Sequence, residues 1–138
     1  MLLYWIWFAQ MGKVSAHMKQ VLLEHFRDPE DIFYADEPAI RQIPGITEDQ
    51  IAALMDKDLT QARLIGEKCA QKGIQVLTYA DRQYPGRLRN IYDPPMVLYF
   101  TGILPQWENM PLIGVVGTRK ATTYGLTTAK RFGNQICA

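Results

Sequence analysis

The sequence predicts an α/β chain: a small all-helical module over residues 1–73, then the opening of an α/β module over 74–138. Three observations carry this reading. Apolar residues recur at three- and four-residue spacing as far as Lys72, β-branched and aromatic runs replace that period after Gly73, and a late apolar run passes through glycine and threonine into a second helical stripe. The chain has 138 residues, 48% of them apolar and 21% charged, with a mean hydropathy of -0.14. That composition suits one compact soluble domain or two very small ones, and it excludes disorder, collagen-like repeats and coiled coil.

Met1 to Ala9 is the longest uninterrupted apolar stretch, about half of the ~20 residues a bilayer-spanning helix needs. The first basic residue is Lys13, too late for the cationic start of a signal peptide. The expectation is therefore no membrane span, no export and a cytoplasmic location. Tyr4, Trp5, Trp7 and Phe8 are expected to be buried in a first core helix. Val14, Met18, Val21, Leu22 and Phe26 form the stripe of a helix beginning near Ser15. Asp28-Pro29-Glu30-Asp31 signals the next start, because Asp28 can cap free amides, Pro29 fits the first turn and the acids suit the positive helix end.

Thr47 and Gln50 form a capping box for a helix whose apolar face is Ile51, Leu54 and Met55. The Pro44-Gly45 turn before it resembles a helix-hairpin-helix, whose turn amides hold a nucleic-acid phosphate. Glu48 and Asp49 stand where basic residues would be needed and would repel a phosphate, so the alternative is a purely structural corner. A further helix is expected from about Asp58 to Lys72, with Leu59, Ala62, Ile65 and Cys69 inward and Gly73 as its left-handed stop. Cys69 and Cys137 lie in predicted helices and have no metal-ligand spacing to each other or to His17 and His25, which points to reduced, buried thiols and no metal site.

Three segments then have strand composition: residues 74–79, 96–100 and 112–116. Between the first two, residues 81–95 carry prolines that fix backbone angles and remove donors, so an ordered connector is expected. Its Arg82, Arg87 and Arg89 can face an anion, yet each has an acid or a tyrosine close enough to pair or stack with it. Charge is distributed unevenly. Residues 1–80 hold 8 basic and 11 acidic side chains, whereas 81–138 hold 7 and 3, so an anionic partner should meet the second half.

One segment combines these features into a site. From Leu112 to Gly125 an apolar strand runs through a small-residue turn into a helix, so that free amides and the positive helix end point at an incoming anion. Gly117 permits close approach; Thr118, Thr122 and Thr123 offer hydroxyls; Arg119 adds a planar fork suited to phosphate. Lys120 adds steering charge. The spacing matches neither the dinucleotide fingerprint nor the P-loop, and a turn of small polar residues can also be only a turn.

Three motifs, Tyr84-Pro85-Gly86-Arg87-Leu88, the run from Ile91 to Gly102 and the run from Val115 to Gly125, resemble in order and spacing the DNA processing protein A family (DprA/Smf). That resemblance implies a SAM-like or helix-hairpin-helix-like helical domain followed by a Rossmann-like domain. It also implies a cytoplasmic mediator of natural transformation that binds single-stranded DNA, helps load the RecA recombinase, acts as a homodimer, and uses neither catalysis nor a cofactor. The arginine of the family's Gly-Ser/Thr-Arg turn, which contacts DNA phosphate, corresponds to Arg119.

The family's Ser-Gly strand and turn and its Gly-Ile-Asp segment have no counterpart before Ala138. The last predicted helix, with its stripe of Leu126, Ala129, Phe132, Gly133 and Ile136, should cover a sheet and lead to a further strand. The expectation is thus a truncated piece with weak or no DNA binding of its own. Two other classes remain: a Rossmann-type enzyme resembling the lysine-decarboxylase-like phosphoribohydrolases, and a protein-interaction module built on exposed aromatics of the first helix.

Overall fold

A computed structural model describes residues 1–136; Cys137, expected in the last helix, lies outside them. The chain forms two compact units, the first Met1–Glu108 and the second beginning at Asn109. Helix α1 (Leu2–Ala9) is apolar on every side, and Trp5, Ile6, Trp7 and Phe8 are accordingly all buried. Helix α2 (Ala16–His25) starts at Ser15, whose hydroxyl accepts from Met18 N at 3.2 Å. Helix α3 (Pro29–Tyr34) starts at Asp28, whose carboxylate accepts from Glu30 N and Asp31 N at 2.8 and 3.2 Å.

A further helix without a periodic sequence signature, α4 (Glu37–Arg41), follows, and Asp36 caps it through Ala39 N at 3.0 Å. Only Ile40 of its five residues is buried, so it has no periodic stripe to detect. The expected capping box is present at α5 (Glu48–Met55): Gln50 N donates to Thr47 Oγ1 at 3.4 Å, and Thr47 N to Gln50 Oε1 at 3.0 Å. Helix α6 (Thr60–Gln71) stops at Gly73, whose φ is 63°. There Ile74 N donates to Cys69 O at 2.8 Å and Gly73 N to Ala70 O at 3.3 Å, the paired bonds of a Schellman stop.

Strands β1 (Gln75–Thr78) and β2 (Val97–Phe100) pair antiparallel, with Val76 opposite Tyr99 and Leu77 opposite Leu98. The short helix α7 (Gly86–Arg89) lies in the connector between them, and a 3₁₀ turn (Trp107–Asn109) follows. One core runs through this unit: Phe8, Leu22, Ile32, Ile40 and Leu54 from the helices join Met96 and Val97 at β2. The shared core therefore crosses the change of pattern at Gly73.

The expected strand over residues 112–116 does not form. Leu112, Ile113, Val115 and Val116 are exposed and unladdered. An extended apolar run becomes a strand only when a neighbour supplies the ladder, and the described sheet contains β1 and β2 alone. In the second unit α8 (Thr123–Ile136) does form, but its apolar stripe is open: Leu126, Phe132 and Ile136 are each about half exposed. Among the described residues no helix is long and apolar enough to cross a membrane.

Candidate nucleic-acid interface

The turn before α8 and the first residue of that helix hold the six residues singled out in the sequence, and each of them is exposed. Thr122 caps the helix: its Oγ1 accepts from Gly125 N at 3.2 Å, and its carbonyl accepts the first helical bond from Leu126 N at 3.0 Å. Capping uses a lone pair and leaves the hydroxyl proton of Thr122 free to donate. Thr118 differs, because its proton goes to Lys120 O at 3.0 Å. Thr123 opens the helix, and its carbonyl accepts from Thr127 Oγ1 at 2.9 Å.

Among the described residues Arg119 takes part in no ion pair, and Gly117, Thr118, Arg119 and Lys120 donate no main-chain hydrogen bond. The turn thus presents unspent N–H groups, a guanidinium and an ammonium beside the N-terminus of a fourteen-residue helix. The second unit also has four basic side chains, Arg119, Lys120, Lys130 and Arg131, and no acidic one.

Elsewhere, Arg41 and Arg89 are engaged by other groups of the first unit. At the Pro44-Gly45 corner, Gly45 adopts φ 77° and Arg41 bridges Glu37 and Glu48. Hydrogen bonding to Arg41 holds the Glu48 carboxyl below the usual range, so the corner keeps its negative charge. In the connector, Arg89 Nη2 donates to Tyr79 O at 2.9 Å and to Asp81 O at 3.1 Å. Its guanidinium carbon lies 5.0 Å from the Tyr79 ring centre and 5.4 Å from that of Tyr84. Tyr84 in turn donates to Pro95 O at 2.8 Å. Arg82 and Arg87 remain exposed, as do His17 and His25, the latter with Nδ1 2.9 Å from Val21 O.

Two lysines that no spacing rule singles out are drawn inward by α1. Lys19 is only 7% exposed; its Nζ donates to Ala9 O at 3.2 Å and stands 5.9 Å from the Phe8 ring centre. Lys57 Nζ donates to Ile32 O at 3.2 Å between the rings of Trp7 and Phe33, 5.6 and 5.3 Å from their centres. Burial lowers the pKa of both, that of Lys57 to about 8. The aromatic crowding of α1 is the one sequence signal for them.

Comparison with known proteins adds a family to this geometry. The family model described as DNA recombination-mediator protein A matches residues 75–138, a span that includes the turn from Gly117 to Thr123. The chain is 32% identical over 138 residues to Protein Smf of Synechocystis sp., covering 96% of this chain and 34% of that protein. It is 34% identical over 98 residues to DNA processing protein DprA of Bacillus subtilis, covering 67% of this chain and 33% of that protein. The chain thus spans about a third of the length of these curated relatives. No solved structure matches it.

Proposed function

Because this chain belongs to the DNA processing protein A (DprA/Smf) family, we propose that it carries one arm of a surface gripping the phosphates of single-stranded DNA. The observation that carries the reading is the turn itself. Within the family-matched segment, Gly117 to Thr123 brings to the head of α8 an exposed guanidinium and main-chain amides that, among the described residues, have no ion-pair or hydrogen-bond partner. Arg119 is the principal phosphate contact, the amides beside Gly117 and Thr118 are secondary donors, Thr122 and Thr123 offer further polar contacts, and Lys120 steers by charge.

In this reading the whole protein is a cytoplasmic, non-catalytic mediator of natural transformation that acts as a homodimer and helps load RecA recombinase on incoming DNA. Residues 1–73 form its SAM-like helical module, and residues 74–138 open its Rossmann-like domain; the start of the family match at residue 75 supports that division. The interaction-module alternative required exposed aromatics on α1; Trp5, Trp7 and Phe8 are instead 5%, 5% and 0% exposed, and Tyr4, expected to be buried, is half-buried with its hydroxyl 2.9 Å from that of Tyr34.

A chain a third the length of its relatives offers a partial grip. Titrating it into a fluorescent oligo-dT at low salt should give a dissociation constant weaker than about 1 µM, and affinity should fall further as salt rises, since phosphate contacts release counterions. Sub-micromolar or salt-independent binding would contradict the reading.

A further inference from the structure

The end of α1, one face of α6 and the strand β2 enclose an open groove of about 600 Å³. Its floor is apolar, built from Ile65, Ile74, Met96 and Val97, with the Cys69 thiol and the Tyr99 ring beside them. Ile65 and Cys69 are four residues apart, as are Lys68 and Lys72, and the two pairs are offset by three, so one helical face carries both the floor and two ammonium groups. Lys68 and Lys72 are exposed, and among the described residues neither is in an ion pair. No carboxylate side chain lines the groove. This arrangement runs against its surroundings, because residues 1–80 carry an excess of acidic side chains.

The lining restricts what fits. A purely apolar ligand leaves both ammonium groups unused, and a nucleobase would bury its polar edge where Gln10 is the one uncharged amide among the lining side chains. A volume near 600 Å³ suits a large apolar side chain and its neighbours. We propose that the groove binds an acidic peptide segment, seating an apolar anchor on Ile65, Met96 and Tyr99 while flanking carboxylates pair with Lys68 and Lys72. The partner is therefore a protein with an exposed acidic-apolar stretch, bound by residues of the first unit.

The test uses the 138-residue chain and a fluorescein-labelled peptide of sequence Asp-Asp-Leu-Phe-Asp-Asp, read by anisotropy and by amide chemical shifts. Binding should saturate, with the shifts concentrated at residues 65–74 and 95–99. The double variant Lys68→Glu/Lys72→Glu should weaken binding by about tenfold or more, whereas Lys130→Glu on α8 should not change it. The neutral pair Lys68→Gln/Lys72→Gln, expected to lose about threefold, serves if the reversal disturbs folding by circular dichroism. Absence of saturable binding, equal affinity for the same peptide with lysine in place of aspartate, or shifts centred outside the groove would each overturn the proposal. So would a groove that responds to decanoate or to phosphatidylglycerol vesicles but not to the peptide.

Discussion

Arg89 shows how a cation that looks available in the sequence is consumed by the fold. It reaches back to two carbonyls, Tyr79 O and Asp81 O, and its guanidinium carbon lies within about 5.4 Å of two tyrosine ring centres. Arg89→Ala leaves both carbonyls without that donor and removes the cation beside the two rings, so it should cost about 2 kcal/mol in urea denaturation. Arg89→Lys should recover little, because an ammonium lacks the planar fork; full recovery would show that charge alone matters there. Lys57 gives a signed pH effect. Burial lowers its pKa from 10.5 to about 8 in the folded chain, so between those values the unfolded chain binds the extra proton. Stability contributed at this residue therefore rises as pH climbs from about 8 towards 10.5. Denaturation midpoints across that range should rise more steeply for the native sequence than for Lys57→Met, and parallel curves would refute the assignment.

At the scale of elements, local chemistry was legible and pairing was not. Ser15, Asp28 and the Thr47–Gln50 box mark helix starts because a cap is a contract between residues two or three apart. Gly73 marks a stop for a similar reason: its φ of 63° belongs to the left-handed region, which a Cβ disfavours. An added Cβ meets no atom within 4 Å, so Gly73→Ala should lose about 1 kcal/mol through backbone strain alone. Gly73→Asn should lose less, and an unchanged denaturation midpoint for Gly73→Ala would contradict this account of the stop. Helix α4 is not legible in the sequence because five residues with one buried side chain carry no period. Residues 112–116 have strand composition without a strand, since composition describes a segment and a ladder needs a second one.

At the scale of the whole molecule, charge and hydrogen-bond use separate the two units. The first unit engages Arg41 and Arg89 and leaves Arg82 and Arg87 exposed, while the second presents four basic side chains against no acidic one. The residues of the candidate site were legible as a glycine-threonine-arginine turn entering a helix, and the family match covers that turn. What the sequence could not disclose was the state of the donors: that Thr118 has spent its proton, that Thr122 keeps its own, and that the main chain from Gly117 to Lys120 donates no bond among the described residues. Those details depend on where the backbone goes, which spacing alone does not fix.

The central claim is that Arg119 meets phosphate. Fluorescence anisotropy of this chain and its Arg119→Ala variant, each titrated at low salt against oligo-dT and against a mixed-sequence single strand, tests it most directly. The account predicts that the variant binds both strands roughly three- to tenfold more weakly and with a shallower salt dependence, because a phosphate contact carries no base information. Unchanged affinity in the variant, or a loss confined to one of the two sequences, would contradict it.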